Sequence, residues 1–463
     1  MNVFTDRYRC DDRYGDFKVV SLRAADAGYF RFGENAVCYG RTSDGYLQPS
    51  AGDDLYDVLR NVTVTECDTE LPFDPDEVVD NLRYERYVES APRGGGLLAA
   101  FAKKSYYTFR PLMPVRFRKH LQRIYLKNWD QISFPSWPVD RTVENIFEQL
   151  LVISLQSHRA QKIPFIWFWP DGCSAASIVT HDIETRAGRD FSTRLADLDA
   201  SFGVKSAFQI VPEERYEVSP AFLDSLRARG AEVNLHGLNH DGQLFRDRKE
   251  FLRQVKRINR YAREYGAAGF RSPVMYRNVD WYRDLEFSYD MSVPSVAHLE
   301  PQRGGCCTVM PYFIGNLVEL PLTTTQDYAL FHVLKERSIA LWKRQISLVT
   351  EKHGLVSFNI HPDYMISDSH REVYRQLLEY LIRICADQKI WSALPGEVDQ
   401  WWRQRRQMQL VQDEAGFRVT GPFSERAVVA YACFENGRIV YEVTSKWCGH
   451  LRNHGCARQA TGG

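Results

Sequence analysis

Between Ser177 and about Arg405, short apolar runs alternate with long amphipathic ones, and this alternation constrains the fold more than any other feature of the chain. The short runs are rich in branched and aromatic side chains and read as strands: Ser177–Thr180, Lys205–Val211, Glu232–Leu235, Gly269–Arg271, Phe287–Met291, Leu317–Leu322 and Leu355–Ile360. Among the longer segments, Pro220–Arg229, Arg246–Tyr265, Ala329–Lys352 and His370–Asp387 carry apolar residues at helical spacing. Parallel strands need a crossover of about a dozen residues or more to reach their neighbours, usually a helix. The expected class is therefore α/β, and seven or so such strands suit a barrel better than a short open sheet.

The flanks read differently. Residues 1 to about 60 hold short alternating runs, Phe17–Val20 and Tyr29–Phe32, broken by Gly and Asp turns. Asp76–Val88 and Glu144–Leu155 read as helices, and residues 91–96 as a linker. After Gln407 short strands return (Phe417–Val419, Ala427–Cys433, Arg438–Val443) around a turn at Glu435-Asn436-Gly437. Three units are expected: a mixed α+β accessory region at 1–165, the barrel at 166–405, and a β appendage with a loose tail at 406–463.

Lys plus Arg equals Asp plus Glu, 59 of each, so the chain lacks the strongly basic balance of a dedicated nucleic-acid binder. No apolar run reaches the ~18 residues of a membrane span. The first residues lack the apolar stretch of a secretory signal, and the expected location is cytoplasmic. Ten scattered cysteines without a C-x-x-C pair do not form a disulfide framework in a chain of this length. One stretch stands apart: residues 110–127 hold Arg110, Arg116, Arg118, Lys119, His120, Arg123 and Lys127 among apolar residues. It reads as a helix packed on the next domain with one face solvated, or as a peripheral contact with an anionic membrane surface or acidic glycan carrier. Near the C-terminus, Cys448, His450, His454 and Cys456 match no standard zinc spacing.

Four constellations follow successive expected strands. Thr180-His181-Asp182-Ile183-Glu184 places two acids at i and i+2, on one side of an extended chain. His236-Gly237-Leu238-Asn239-His240 sets two imidazoles four apart, able to share one side of a helical turn, and two His with a carboxylate form a catalytic metal set. Gly269-Phe270-Arg271-Ser272-Pro273 holds an Arg suited to orienting a carboxylate. Phe358-Asn359-Ile360-His361-Pro362-Asp363 places one His after a strand, with Asp363 near enough to raise its pKa. Each alone also reads as a cap, a surface pair, a salt bridge or a structural His. In a parallel barrel all four converge on one rim.

This order resembles the polysaccharide deacetylase family, the NodB-homology domain or carbohydrate esterase family four, over about residues 165–405. The resemblance implies a distorted (β/α)7 barrel and a divalent metal, Zn²⁺ first with Co²⁺ or Ni²⁺ as alternatives. It implies removal of an acetyl group from an N-acetylated sugar, an intermediate of surface polysaccharide or glycolipid synthesis. By the same resemblance Asp182 is the base, Arg271 holds it, His361 is the acid, and His236 and His240 bind metal. Pro273, Tyr276 and Asp290 are the implied substrate-side residues, Asp290 also helping to orient the catalytic His.

The chain departs from the family pattern at three places. The usual adjacent second Asp is Ile183, so Glu184 is taken as the third ligand, with the reverse assignment of Asp182 and Glu184 left open. Gly237 stands where Ser or Thr is usual, and Val274 where an aromatic is usual, with Tyr276 as its replacement. Hydrolysis of another non-peptide C–N bond in a small molecule, and an inactive glycan-binding scaffold, remain alternatives.

Overall fold

The computed structural model describes residues 2–21, 24–43, 45–52, 54–66, 68–90, 115–414 and 416–444. Residues 110–114 of the basic stretch, the 91–96 linker and the Cys448–Cys456 cluster fall outside these.

Strands β1 (Lys18–Val19), β2 (Gly28–Arg31), β3 (Val37–Gly40), β4 (Thr63–Thr65) and β5 (Asp68–Leu71) form a β1-β5-β4 sheet and a β2-β3 hairpin. Helix Pro75–Arg83 begins where Asp74 accepts the Asp76 N–H and proline occupies the first turn, and it buries Val78, Val79 and Leu82. The expected helix to Val88 is broken, because Glu85 sits at φ +57 and turns its carboxylate inward onto Arg277. Helix Val115–Tyr125 reaches the barrel: Tyr125 Oη donates to the Pro301 carbonyl at 3.4 Å, and Tyr328 Oη bonds Gln122. Helix Thr142–Ser157 then leads into β6 (Lys162–Ile166).

The barrel strands are β7 (Ala175–Ile183), β8 (Ser206–Ile210), β9 (Glu232–His236), β10 (Gly269–Arg271), β11 (Tyr289–Asp290), β12 (Tyr312–Ile314), β13 (Leu317–Glu319) and β14 (Leu355–Ile360), with β15 (Ile390–Ser392) beside the start of β7. Their order is β12-β13-β11-β10-β9-β8-β7-β14, parallel throughout except where β12 folds back on β13. The sheet closes through side chains. After β13, Thr323 Oγ1 donates to the Leu355 carbonyl at 2.7 Å and accepts the Ser357 N–H, while Thr324 Oγ1 donates to the Ser357 carbonyl at 2.7 Å. Threonine hydroxyls thus stand in for a backbone ladder, and the parallel strands curl into a half-barrel sheet of the kind expected.

Helices Arg186–Ser201, Pro220–Arg227, Arg248–Tyr265, Ala340–Thr350 and Asp368–Asp387 cover its outside with apolar faces such as Phe251, Val255, Ile258 and Ala262. The expected helix Ala329–Lys352 is split. A wide turn at Ala329–Leu334 ends at Lys335, φ +59, and an exposed run follows before Ala340 restarts the helix. Helix Pro395–Gln407 leads to two hairpins, β16 (Gln409–Asp413) with β17 (Gly416–Thr420) and β18 (Val429–Glu435) with β19 (Arg438–Val443). The second turns on Asn436 and Gly437 at φ +51 and +80, as a tight primed hairpin turn requires. β18 also pairs antiparallel with β6, and one apolar core joins Phe4, Phe147 and Phe165 to Trp401 and Ala430. Among the described residues no helix is long and apolar enough to cross a membrane.

Candidate active site

Alternation along β7 sets the first carboxylates. Thr180, Asp182 and Glu184 lie on the inner side, whereas His181 and Ile183 face outward. His181 Nε2 lies 2.8 Å from Asp199 Oδ2 beneath the helices, and Ile183 joins Phe208 and Ile210 in an apolar cluster. The outward side chains anchor the strand and the inward ones are free for chemistry.

Asp182 is 2 % exposed and fully bonded. Arg271 Nη1 donates to its Oδ1 at 3.0 Å and Asn359 Nδ2 to its Oδ2 at 2.7 Å. Arg271 is itself fixed by donating to Thr180 Oγ1 (2.7 Å) and the Met291 carbonyl (3.0 Å). Burial pushes the Asp182 carboxyl up, but Arg271, His236, His361 and the Asn359 bond outweigh it and hold the group at about 2.

His236 ends β9 and His240 lies in the loop that follows, so the pair does not sit on a helical turn. Gly237 at φ +65 and His240 at φ +56 bend the chain so that both rings meet, 5.0 Å between centroids. Gly237 has no room for a side chain, since a Cβ there would lie 2.3 Å from Pro273 Cγ. This explains the missing Ser or Thr, and it gives Pro273 the task of walling the loop. Gly237→Ala is expected to destabilise the fold by ~1–3 kcal/mol through overpacking and left-handed strain, read as a lower urea midpoint.

His236 Nδ1 lies 3.1 Å from the Arg271 carbonyl, which places its proton there and leaves Nε2 as a free donor. Arg215 donates to the His240 carbonyl at 3.2 Å and lies 3.1 Å from its Nδ1. The buried Nε2 atoms of His236 and His240 have no hydrogen-bond partner. Glu184 Oε1 approaches them at 3.8 and 2.8 Å. One ligand atom from each of Glu184, His236 and His240 lies within 4.8 Å of the others. Two orphaned imidazole nitrogens facing an ionised carboxylate suit a divalent cation of the Zn²⁺ type. Asp182, engaged by Arg271 and Asn359, is not in that group, although its Oδ2 lies 3.8 Å from His236 Nε2.

His361 faces the same point, its Nε2 3.6 Å from Glu184 Oε1 and 4.0 Å from Asp182 Oδ2. Its partner is Asp327, which the sequence reading did not select. Asp327 Oδ1 lies 2.6 Å from His361 Nδ1, and Oδ2 accepts the His361 N–H at 2.8 Å. Burial lowers the His361 pKa, but Asp327 first and Glu184 next raise it well above the ordinary value. Asp327 takes the place expected of Asp363 in raising the His361 pKa and that expected of Asp290 in orienting the ring. Asp363 is bonded by Thr185 Oγ1. Asp290, expected on the substrate side, is fully buried, accepts from Ser292 N (2.9 Å) and Oγ (2.7 Å), and faces Glu319. Burial raises both carboxyls of that pair. Tyr276 is buried and its carbonyl accepts from Ser272.

Other unselected residues complete the site. Asn359 also donates to Gln326 Oε1 at 2.9 Å, and Gln326 Nε2 donates to Glu300 Oε1 at 2.8 Å. Asn359 was findable, because it sits near the end of β14, two residues before the still-extended His361, and so on the same side.

No protein-family model and no curated protein matches this chain. Solved structures resemble about half of it. One, from Mycobacterium smegmatis and assigned to the polysaccharide deacetylases, is similar over 51% of this chain and 93% of its own, at 18% identity and a TM-score of 0.41. The Puue allantoinase is similar over 51% and 92%, at 13% identity and a TM-score of 0.38. The peptidoglycan deacetylase PdaC from Bacillus subtilis is similar over 51% and 95%, at 14% identity and a TM-score of 0.33.

Proposed function

We propose that this protein is a metal-dependent hydrolase that removes an acetyl group from an N-acetylated sugar. The observation that carries the reading is the convergence of Glu184, His236 and His240 beside an Arg-held carboxylate, Asp182, and an Asp-held imidazole, His361. Glu184, His236 and His240 would hold the cation, which when bound supplies Lewis-acid polarisation of the amide carbonyl and a more acidic water.

The chain's own groups do the rest. Asp182 is ionised and aimed by Arg271 and Asn359, so it accepts the proton that the attacking water gives up. Asp327 and Glu184 hold the His361 proton more tightly than an ordinary imidazole holds its own, and with Nδ1 held by Asp327 the ring presents Nε2 to the leaving nitrogen. Base and acid flank one point about 4 Å apart, Asp182 Oδ2 to His361 Nε2 being 4.0 Å. Without the acid the nitrogen would have to leave as an amide anion, which is why an imidazole on that side matters.

Purified wild type supplied with Zn²⁺ is expected to hold about one ion per chain and to release acetate from tetra-N-acetylchitotetraose. His236→Ala/His240→Ala is expected to lose both. Zinc-loaded wild type that releases no acetate from N-acetylated sugars but hydrolyses small non-sugar amides would replace this reading with the other C–N hydrolase. No ion in either protein would leave a glycan-binding scaffold.

A further inference from the structure

The loop between β11 and β12 brings one more carboxylate to the site. Glu300 is partly exposed, and its Oε1 accepts from Gln326 Nε2 at 2.8 Å. Its Oε2 bonds to nothing among the described residues. Through Gln326 and Asn359 it is joined to Asp182 by three successive hydrogen bonds. Burial raises its carboxyl to about 7, with Gln326, Arg277 and His361 pulling the other way and Asp182 adding to the rise. It therefore shares a field with the base and the acid while keeping one oxygen open.

The loop is held from the N-terminal region. Gly305 N donates to Glu85 Oε1 at 2.6 Å, Tyr87 Oη to the Gly305 carbonyl at 2.7 Å and Tyr125 Oη to the Pro301 carbonyl at 3.4 Å. Gln302 pairs with Arg277 in both directions, its Oε1 accepting from the backbone N at 3.0 Å and its Nε2 donating to the carbonyl at 3.1 Å. A loop pinned at so many points places its side chains reproducibly, which orienting a substrate requires. A fourth acid beside Asp182, Glu184 and Asp327 also raises the electrostatic cost of the empty site, a cost with no structural return from a single bond to Gln326.

We propose that Glu300 is a substrate-contacting carboxylate of this site, whose free oxygen accepts a hydroxyl of the sugar that carries the acetamido group. This rests on the hydrolase reading above and deepens it. A carboxylate accepts a sugar hydroxyl in a charge-assisted bond that an isosteric amide matches poorly. Glu300→Gln keeps an acceptor for Gln326, so it removes the charge without cutting the link to Asp182.

The test uses the full-length zinc-loaded chain and tetra-N-acetylchitotetraose, with calorimetric binding measured on the alkaline side of the Glu300 pKa of about 7, where the carboxylate is charged, in a His361→Ala background that stops turnover. Glu300→Gln is expected to weaken binding about tenfold and to raise KM alike, with zinc content and kcat little changed. Glu300→Ala is expected to lose at least as much. Equal saccharide binding by wild type and Glu300→Gln, with normal zinc content, overturns the assignment and leaves the hydrolase reading standing. A fall in kcat with binding unchanged also overturns it, since Glu300 would then act only by positioning Asp182. Zinc uptake without saccharide binding in wild type removes the sugar and Glu300's role together, while absence of zinc uptake is failure of the site reading itself.

Discussion

Asp327→Asn lowers kcat for acetyl release by about 10³-fold while zinc content stays at the wild-type value. A buried Asp behind a catalytic His fixes its tautomer, and in comparable pairs an Asn substitution costs up to ~10⁴-fold by presenting the wrong one. Here both oxygens of Asp327 meet His361, Oδ1 at Nδ1 and Oδ2 at the backbone N–H, and Oδ1 also accepts the Tyr328 N–H at 2.7 Å. An Asn carries no charge, so it removes the largest influence that raises the His361 pKa against its burial. His361 acts as acid only while protonated, and its protonated fraction falls as pH rises through its pKa. The alkaline limb of the kcat profile therefore moves to lower pH in Asp327→Asn. The stability sign agrees. A raised folded-state pKa contributes stability that is complete below the unfolded value, ~6.5, and is lost as pH rises through the folded one. The variant loses part of that contribution below pH ~6.5. A kcat profile with its alkaline limb unmoved would mean that another group supplies the proton.

Asp327 also shows where reading the sequence succeeds and where it stops. Asp182, His236, His240, Arg271 and His361 were legible because each follows a strand whose apolar run marks it, and residues after parallel strands share one rim. Asp327 obeys the same rule after the run Leu317–Leu322, but three threonines and Gln326 intervene. Those threonines look like a loop, whereas in the fold the first two bond to β14 and continue the barrel wall. Sequence alone cannot show that a hydroxyl stands in for a backbone ladder. Asp363, two residues from His361, is nearer along the chain and is expected to raise its pKa, but Thr185 takes its carboxylate and Asp327 is the first group that raises it. Nearness along the chain was a poor guide once a turn separated the two side chains.

The expected strand Phe287–Met291 shrinks to Tyr289–Asp290, since only that pair meets both β10 and β13. The expected helix Asp76–Val88 ends at Arg83 for a reason no local pattern records: Glu85 is needed 192 residues away in sequence. Helical periodicity is a local signal, and a buried ion pair between distant segments overrides it.

That pair gives the largest expected effect on stability. Arg277 is 4 % exposed, and its Nε donates to Glu85 Oε2 at 2.6 Å while Nη2 meets Oε1. The same Oε1 accepts the Gly305 N–H. Glu85→Ala would leave a buried guanidinium without its counter-charge and a buried amide without its acceptor, and breaking such a pair costs about 3–5 kcal/mol. The expected reading is a fall of that size in the free energy of urea unfolding. Arg277→Met in the same chain should return much of it, because an apolar side chain removes the stranded charge even though the pair is not rebuilt. The two substitutions couple because the side chains are in direct contact; the KM of Glu85→Ala distinguishes two accounts of the N-terminal region. If it merely packs on the barrel, KM is unchanged. If Glu85 and Arg277 form the joint that ties it to the loops on the substrate side, Glu85→Ala also raises KM, since Gly305, Gln302 and Glu300 share the loop that the joint holds.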